Sequence, residues 1–148
     1  MSWCCHRGAA VFAPIPGPDR ILLVRQYRHS VGDYMWEIPA GRLERGERPL
    51  TAAKRELEEE CGLTARRWRK ACAFYPAPGY TNEIMHLFFA FDLAPARGGK
   101  RPDADEEIET REFTRRELER IVAKGGIRDG KTLAALALLS LDRWDWGR

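Results

Sequence analysis

At the start of the chain, apolar, β-branched and aromatic residues come in short runs punctuated by proline and glycine. Ala9–Ile15 and Ile21–Tyr27 flank Pro16, Gly17, Pro18 and Asp19, a pattern that predicts two strands around a turn. Tyr34–Ile38 reads as a third short strand and Pro39–Arg48 as a loop. The period then changes. Leu50, Ala53, Leu57 and Cys61 recur at helical spacing, which predicts a helix with Pro49 at its first position and a stop at Gly62. Strand-like runs return at Trp68–Tyr75 and Ile84–Leu93, separated by the polar, Gly/Pro-rich segment Pro76–Asn82, and again at Ile108–Phe113. Thr114 and Glu117 form a capping box for a helix that Gly125 and Gly126 close, and Leu133–Leu141 is a last apolar helix.

These elements predict an α/β fold, a mixed sheet with helices packed on it. Strands outnumber helices, a loop rather than a long crossover precedes the central helix, and GxGxxG is absent, so a simple Rossmann domain is not expected. At 148 residues the chain suits one domain spanning residues 1–148. Pro95–Asp105 is the one linker-like stretch, and it is too short to separate domains.

Composition changes little in this picture. An apolar fraction of 44% supports a folded core, and 32% charged residues a soluble surface. The net charge of +3, from 25 basic and 22 acidic residues, gives no general case for polyanion binding. Arg66, Arg67, Arg69 and Lys70 are a local basic cluster, but they alternate with Trp68 and Ala71 as a half-exposed strand would, so no nucleic-acid partner is expected. Cys4, Cys5, Cys61 and Cys72 lack metal-thiolate or disulfide-framework spacing, which suits a reducing cytoplasm. No apolar run approaches the ~20 residues of a membrane span, and no export signal is evident.

The chemistry concentrates between Gly41 and Leu63. Arg55, Glu56, Glu59 and Glu60 crowd onto one short helix, and the three carboxylates share a face at the margin of the apolar stripe. Like charges this close are unfavourable without a counter-charge, unless the segment is simply a solvated helix face. A hard divalent cation such as Mg²⁺, with Mn²⁺ as an alternative, supplies that counter-charge and is commonly held by one or two carboxylates together with substrate phosphates. Arg55 is placed to orient a neighbouring carboxylate, and Gly41 and Gly46 to let the preceding loop turn tightly.

Gly41, Glu47, Arg55, Glu56, Leu57, Glu59, Glu60, Gly62 and Leu63 together fit Gly-x5-Glu-x7-Arg-Glu-aliphatic-x-Glu-Glu-x-Gly-aliphatic. The segment resembles the Nudix box with no departure, and nine fixed positions make the signal specific. VRQYRHSVGDYMWEIPAGRLERGE before it and FYPAPGYTNEIMHLFFAFDL after it, including Pro78, look like the ADP-ribose pyrophosphatase branch, a softer similarity from about Ala9 to Leu141.

This resemblance implies a mixed-sheet α/β/α sandwich that hydrolyses the diphosphate of a nucleoside diphosphate linked to another moiety. ADP-ribose, giving AMP and ribose 5-phosphate, is the first candidate; a nucleotide sugar or dinucleotide is the alternative, and a silent nucleotide-binding module a weaker one. It implies metals on Glu56, Glu60 and the Ala40 carbonyl, assisted by Glu59, with another carboxylate from a later loop. Alignment on Ile108 makes that carboxylate Glu106, but the base position then falls on Ala104, a departure that leaves Asp103, Asp105, Glu59 or a metal-bound hydroxide as base. The acidic loop is otherwise plain surface.

For the substrate, Trp36 and Tyr80 are candidates to stack a base and Arg25 or Arg28 to hold phosphate, while Pro78 stiffens a pocket wall. Trp36 reads equally well as sheet core, and the arginines as solvated. A homodimer is a candidate assembly, although this chain enters its core by about Ala9, where many members of that branch have further strands before the Nudix domain.

Overall fold

The computed structural model describes residues 7–98 and 108–141. Seven strands and three helices follow in the order β1 (Ala9–Pro14), β2 (Arg20–Arg28), β3 (Asp33–Glu37), β4 (Ala40–Arg42), α1 (Pro49–Cys61), β5 (Leu63–Phe74), β6 (Met85–Pro95), β7 (Glu109–Thr114), α2 (Arg115–Ala123) and α3 (Gly130–Ser140). The expected mixed α/β architecture is present, with the strands divided between two sheets. One sheet runs β4-β1-β6-β5 and the other β3-β2-β7. Only the β1–β6 pair is parallel among these ladders.

Strands β1 and β6 are nearly continuous apolar runs because both faces of their sheet are covered. On one face Ala10, Phe12, Phe88 and Ala90 pack against Ala52, Ala53 and Leu57 of α1, with Trp68 at the margin. On the other face Val11, Ala13, Leu87, Phe89 and Phe91 meet Ile21, Leu23 and Phe113 of the second sheet, together with Leu118 of α2 and Leu136 and Leu139 of α3. Alternation along each strand thus builds a helix, sheet, sheet and helix stacking from one chain.

Two elements differ from the sequence pattern. Ala40–Arg42, expected within a loop, forms β4 and pairs antiparallel with β1, Ala10 opposite Gly41. Three residues are too few to leave a periodic signature. Strand β5 begins at Leu63 rather than Trp68, since Leu63–Arg67 pairs with the Pro95–Phe91 end of β6 despite its polar residues. Pairing with a long neighbour overrides the local composition.

The helix boundaries follow the capping chemistry. Gly62 adopts the left-handed conformation (φ 64°), and its N–H bonds the Glu58 carbonyl to end α1. Thr114 and Glu117 form the reciprocal capping box of α2, at 3.2 and 2.8 Å. Helix α3 starts earlier than Leu133, because the Asp129 side chain accepts the Thr132 N–H and caps it. Among the described residues no helix is long and apolar enough to cross a membrane.

Candidate active site

The short edge strand β4 and the C-terminal half of α1 meet at Gly41. A Cβ built on Gly41 would lie 2.1 Å from the Glu56 carboxyl carbon and 2.2 Å from its Oε1, so only glycine admits the carboxylate here. Gly41 therefore serves close approach rather than the tight turn expected of it, and its φ is not positive. Gly46, at φ 73°, does supply a turn in the loop before α1.

Arg55 binds the surrounding carboxylates into one unit. Its Nε and Nη2 donate to the two Glu47 oxygens at 2.9 and 3.0 Å, and Nη1 donates to Glu56 Oε1 at 2.8 Å and Glu59 Oε2 at 3.2 Å. Nη2 also reaches the Arg42 carbonyl at 3.3 Å, which ties α1 to β4. The Arg55 charge is stabilised above its ordinary range, chiefly by the bond to Glu47, against the cost of burial and with further support from Glu56. Glu47 is held below the usual carboxylate range by Arg55 and by the Glu44 N–H. Glu56 runs the other way. Burial pushes its carboxyl up, and the charges of Glu59 and Glu47 add to this although Arg55 opposes it.

A half-buried carboxylate whose ionisation is disfavoured suits an added cation. The donors are all oxygen, and Arg55 engages only Oε1 of Glu56. Among the described residues no group of three or more His, Cys, Asp and Glu side chains is placed to hold a metal ion by itself. The oxygen chemistry of Glu56 and Glu59 is that which a hard divalent ion prefers, such an ion keeping waters and taking substrate oxygens to complete its shell. Strand β4 is the edge of its sheet, so one side of its backbone faces away from β1.

A family model for the NUDIX domain matches residues 6–136. The chain belongs to the Nudix family. Among its relatives, the ADP-ribose pyrophosphatase of Bacillus subtilis (strain 168) is 38% identical over 136 residues, covering 92% of this chain and 74% of that protein. The methanol dehydrogenase activator of Bacillus methanolicus is 36% identical over 136 residues, again covering 92% and 74%. A crystal structure of an ADP compounds hydrolase matches with a TM-score of 0.77 over 90% of this chain and 72% of that one; at 23% identity the likeness is one of fold. Family and relatives together make this protein a Nudix hydrolase.

The other candidate residues of this Nudix domain fall in distinct places. Glu60 lies on α1 near enough for its charge to act on Arg28 across the site. Arg28 donates to Glu37 through Nε at 2.8 Å and Nη2 at 3.1 Å, so it is paired rather than simply solvated. Arg25 stacks 4.3 Å over Tyr34 and lies 3.5 Å from Glu109, lining a hollow of about 310 Å³ with Ile108. Trp36 packs edge-on against Phe113 at 5.0 Å, in contact with the main core, so the core reading accounts for it.

Pro78 is exposed and Tyr80 is 77% exposed, on the loop between β5 and β6. That loop ends at Ile84, whose carbonyl accepts the Ala9 N–H, at the end of the sheet where Ala9 faces Arg42. Asp103, Ala104, Asp105 and Glu106 lie outside the described residues. The basic cluster is a surface face. Arg67 pairs with Asp92 at 3.4 Å, and Arg67 and Arg69 cover the Phe91 ring.

Glu37 was not singled out by sequence reasoning, although a lone carboxylate inside the apolar run Tyr34–Ile38 is a signal of a buried partner. It ends β3, and Ile38 and Pro39 then carry the chain into the other sheet, where Pro39 accepts the Phe12 N–H at 3.0 Å. Glu37 thus stands three residues before Ala40 of β4, and Arg28 is paired with it.

Proposed function

We propose that this Nudix hydrolase cleaves the diphosphate linkage of a nucleoside diphosphate joined to a second moiety, with ADP-ribose as the first substrate and AMP and ribose 5-phosphate as products. The reading is carried by the Arg55 fork, which gathers Glu47, Glu56 and Glu59 at the Gly41 corner. The substrate choice is supported by similarity to the Bacillus subtilis relative.

Glu56, Glu60 and the Ala40 carbonyl are assigned the divalent cation, Mg²⁺ first and Mn²⁺ as alternative, with Glu106 completing the set. When bound, the cation neutralises the diphosphate and lowers the pKa of the attacking water. Arg55 keeps Glu56 oriented. Arg28 binds a diphosphate oxygen through its unengaged edge, with Arg25 as the alternative phosphate contact; Tyr80 is assigned to stack the base and Pro78 to stiffen the pocket wall, while Trp36 is left to the core. As the water oxygen bonds to phosphorus, Asp103, Asp105 or Glu59 accepts its proton, and the bridging oxygen departs with the other phosphate. A reducing, cytoplasmic setting and a single working domain belong to the same reading.

The test is a comparison of kcat/KM for ADP-ribose, GDP-mannose, diadenosine polyphosphates and NADH under saturating Mg²⁺, since this ratio reports differential transition-state binding. ADP-ribose should lead, and complete chelation should abolish turnover. A clear preference for GDP-mannose or for a nucleoside triphosphate overturns the substrate assignment and leaves the Nudix chemistry standing.

A further inference from the structure

Among the described residues, three polar or charged side chains are buried, Glu37 (3% exposed), Lys131 (7%) and Thr132 (0%), and all belong to one network. Lys131 Nζ donates to Glu37 Oε1 at 2.6 Å and lies 2.9 Å from Asp129 Oδ2. Thr132 Oγ1 donates to the same Asp129 oxygen at 2.5 Å and accepts the Ile38 N–H at 2.9 Å. The N-terminus of α3 is thereby tied to the end of β3. The network surfaces most at Arg28, whose side chain is 40% exposed while it forks onto Glu37, and slightly at Asp129, 14% exposed.

Two cations and two carboxylates balance in charge, yet an ion network sealed in a core is poor evidence of stabilisation, because well-packed apolar residues often do as well. What the ions achieve and apolar residues cannot is to fix a guanidinium. Glu37 engages Nε and Nη2 of Arg28, and Nη1 makes no hydrogen bond among the described residues. Lys131, itself balanced by Asp129, donates to the same Glu37 oxygen that Arg28 Nη2 engages and so fixes the carboxylate under the fork. Arg28 in turn lies within the electrostatic reach of Glu60 on α1.

We propose that Glu37 and Lys131 are positioning residues that hold Arg28 as a preset contact for the substrate diphosphate beside the Glu56–Glu60 face, an inference that rests on the diphosphate reading above. The long arginine chain is ordered before binding, so its rotamer freedom is not lost when the anion arrives. Lys131 acts on the ligand through Glu37 and Arg28 and touches no substrate itself.

A double-mutant cycle tests this, using ADP with Mg²⁺ as the binding probe and ADP-ribose for steady-state kinetics. Lys131→Met and Arg28→Ala should each weaken ADP by about tenfold or more, and the double variant should bind no more weakly than Arg28→Ala alone, since coupled residues fail additivity. KM should rise while kcat changes little. A lower melting temperature with ADP affinity unchanged, or a Lys131→Met loss that persists in full in the Arg28→Ala background, overturns the proposal. If Lys131→Met does not fold, Glu37→Gln, which keeps shape, should show the same non-additive loss, and unchanged affinity there overturns it as well. Absence of measurable ADP binding by the wild type also counts against it. Tight ADP binding with the expected coupling but no hydrolysis across the substrate panel sinks the functional reading alone; hydrolysis with Arg28→Ala unaltered in ADP affinity sinks the positioning role alone.

Discussion

Arg55 and Arg28 each present a guanidinium fork to a glutamate, but they sit in different company. Arg55 engages all three nitrogens with acceptors from its own helix and the segment just before it, Glu47, Glu56, Glu59 and the Arg42 carbonyl. Arg28 engages two nitrogens with one carboxylate, and that carboxylate is shared with Lys131 from a distant helix. The consequences run in opposite directions. Glu56, one of several acids around a single arginine, has its carboxyl pushed up by burial, whereas Glu37, with two cations, is held below the usual range in spite of burial. A saturated arginine organises acids for something else to bind; an unsaturated one is left with an edge for a ligand.

Glu60 lies where the two regions meet, on the same helix as Arg55 and within charge range of Arg28. Glu60→Gln keeps the shape and removes the charge, and it should lower turnover by about a hundredfold, on the scale of groups supporting a catalytic metal. Unchanged kcat in this variant, or activity that survives complete chelation, defeats the metal mechanism.

Exchanging each arginine for lysine separates their roles, because a point charge cannot reproduce a planar fork. Arg55→Lys should lower kcat by about tenfold with little change in KM, through loosened carboxylates; Arg28→Lys should raise KM with kcat nearly intact. The same kinetic signature in both variants would erase the distinction between the two arginines.

The Arg55 side of the comparison was legible in the sequence; on the other side Arg28 was a phosphate candidate, but the Glu37 and Lys131 beneath it were not legible. Residues three and four apart on one helix must share a face, so the grouping of Glu56, Glu59 and Glu60 and the pairing of Arg55 followed from spacing alone. Glycine was legible as a requirement but not as a reason: Gly41 was read as a turn and acts as the floor under Glu56. The Glu37–Lys131 contact joins β3 to the start of α3, and no local periodicity links residues so far apart. Its only trace is Glu37 inside the apolar run Tyr34–Ile38, since Lys131 stands in a polar stretch ahead of Leu133. Asp105 and Glu106 lie outside the described residues, so their assignment still rests on resemblance.

Gly41→Ala acts on the Arg55 side without touching a charge. The new Cβ would overlap the Glu56 carboxyl at 2.1 Å and its Cγ at 2.2 Å, and since these atoms belong to a flexible side chain, Glu56 should swing away and leave the backbone in place. Turnover should drop by about fivefold while the melting temperature stays near wild type, a displacement effect rather than a folding defect. A large loss of stability with kcat retained would mean that β4, not the carboxylate, is what the glycine serves.

The smallest effect expected is on stability against acid, and it belongs to Glu37. Burial alone would raise its carboxyl, but the Arg28 hydrogen bonds and the Lys131 charge outweigh that and depress it below the ordinary 4.5. A carboxyl depressed in the folded state is ionised there at pH values where the unfolded chain already takes up a proton. Its contribution is therefore complete above the unfolded value and is lost as pH falls through the folded one. Wild type should lose stability below about pH 4.5 more steeply than Glu37→Gln, which has no proton to bind, in urea unfolding followed from neutral pH downward. Parallel curves for the two proteins would show that Arg28 and Lys131 do not hold the Glu37 charge in the folded state, and the contrast with Glu56 would lose its electrostatic basis.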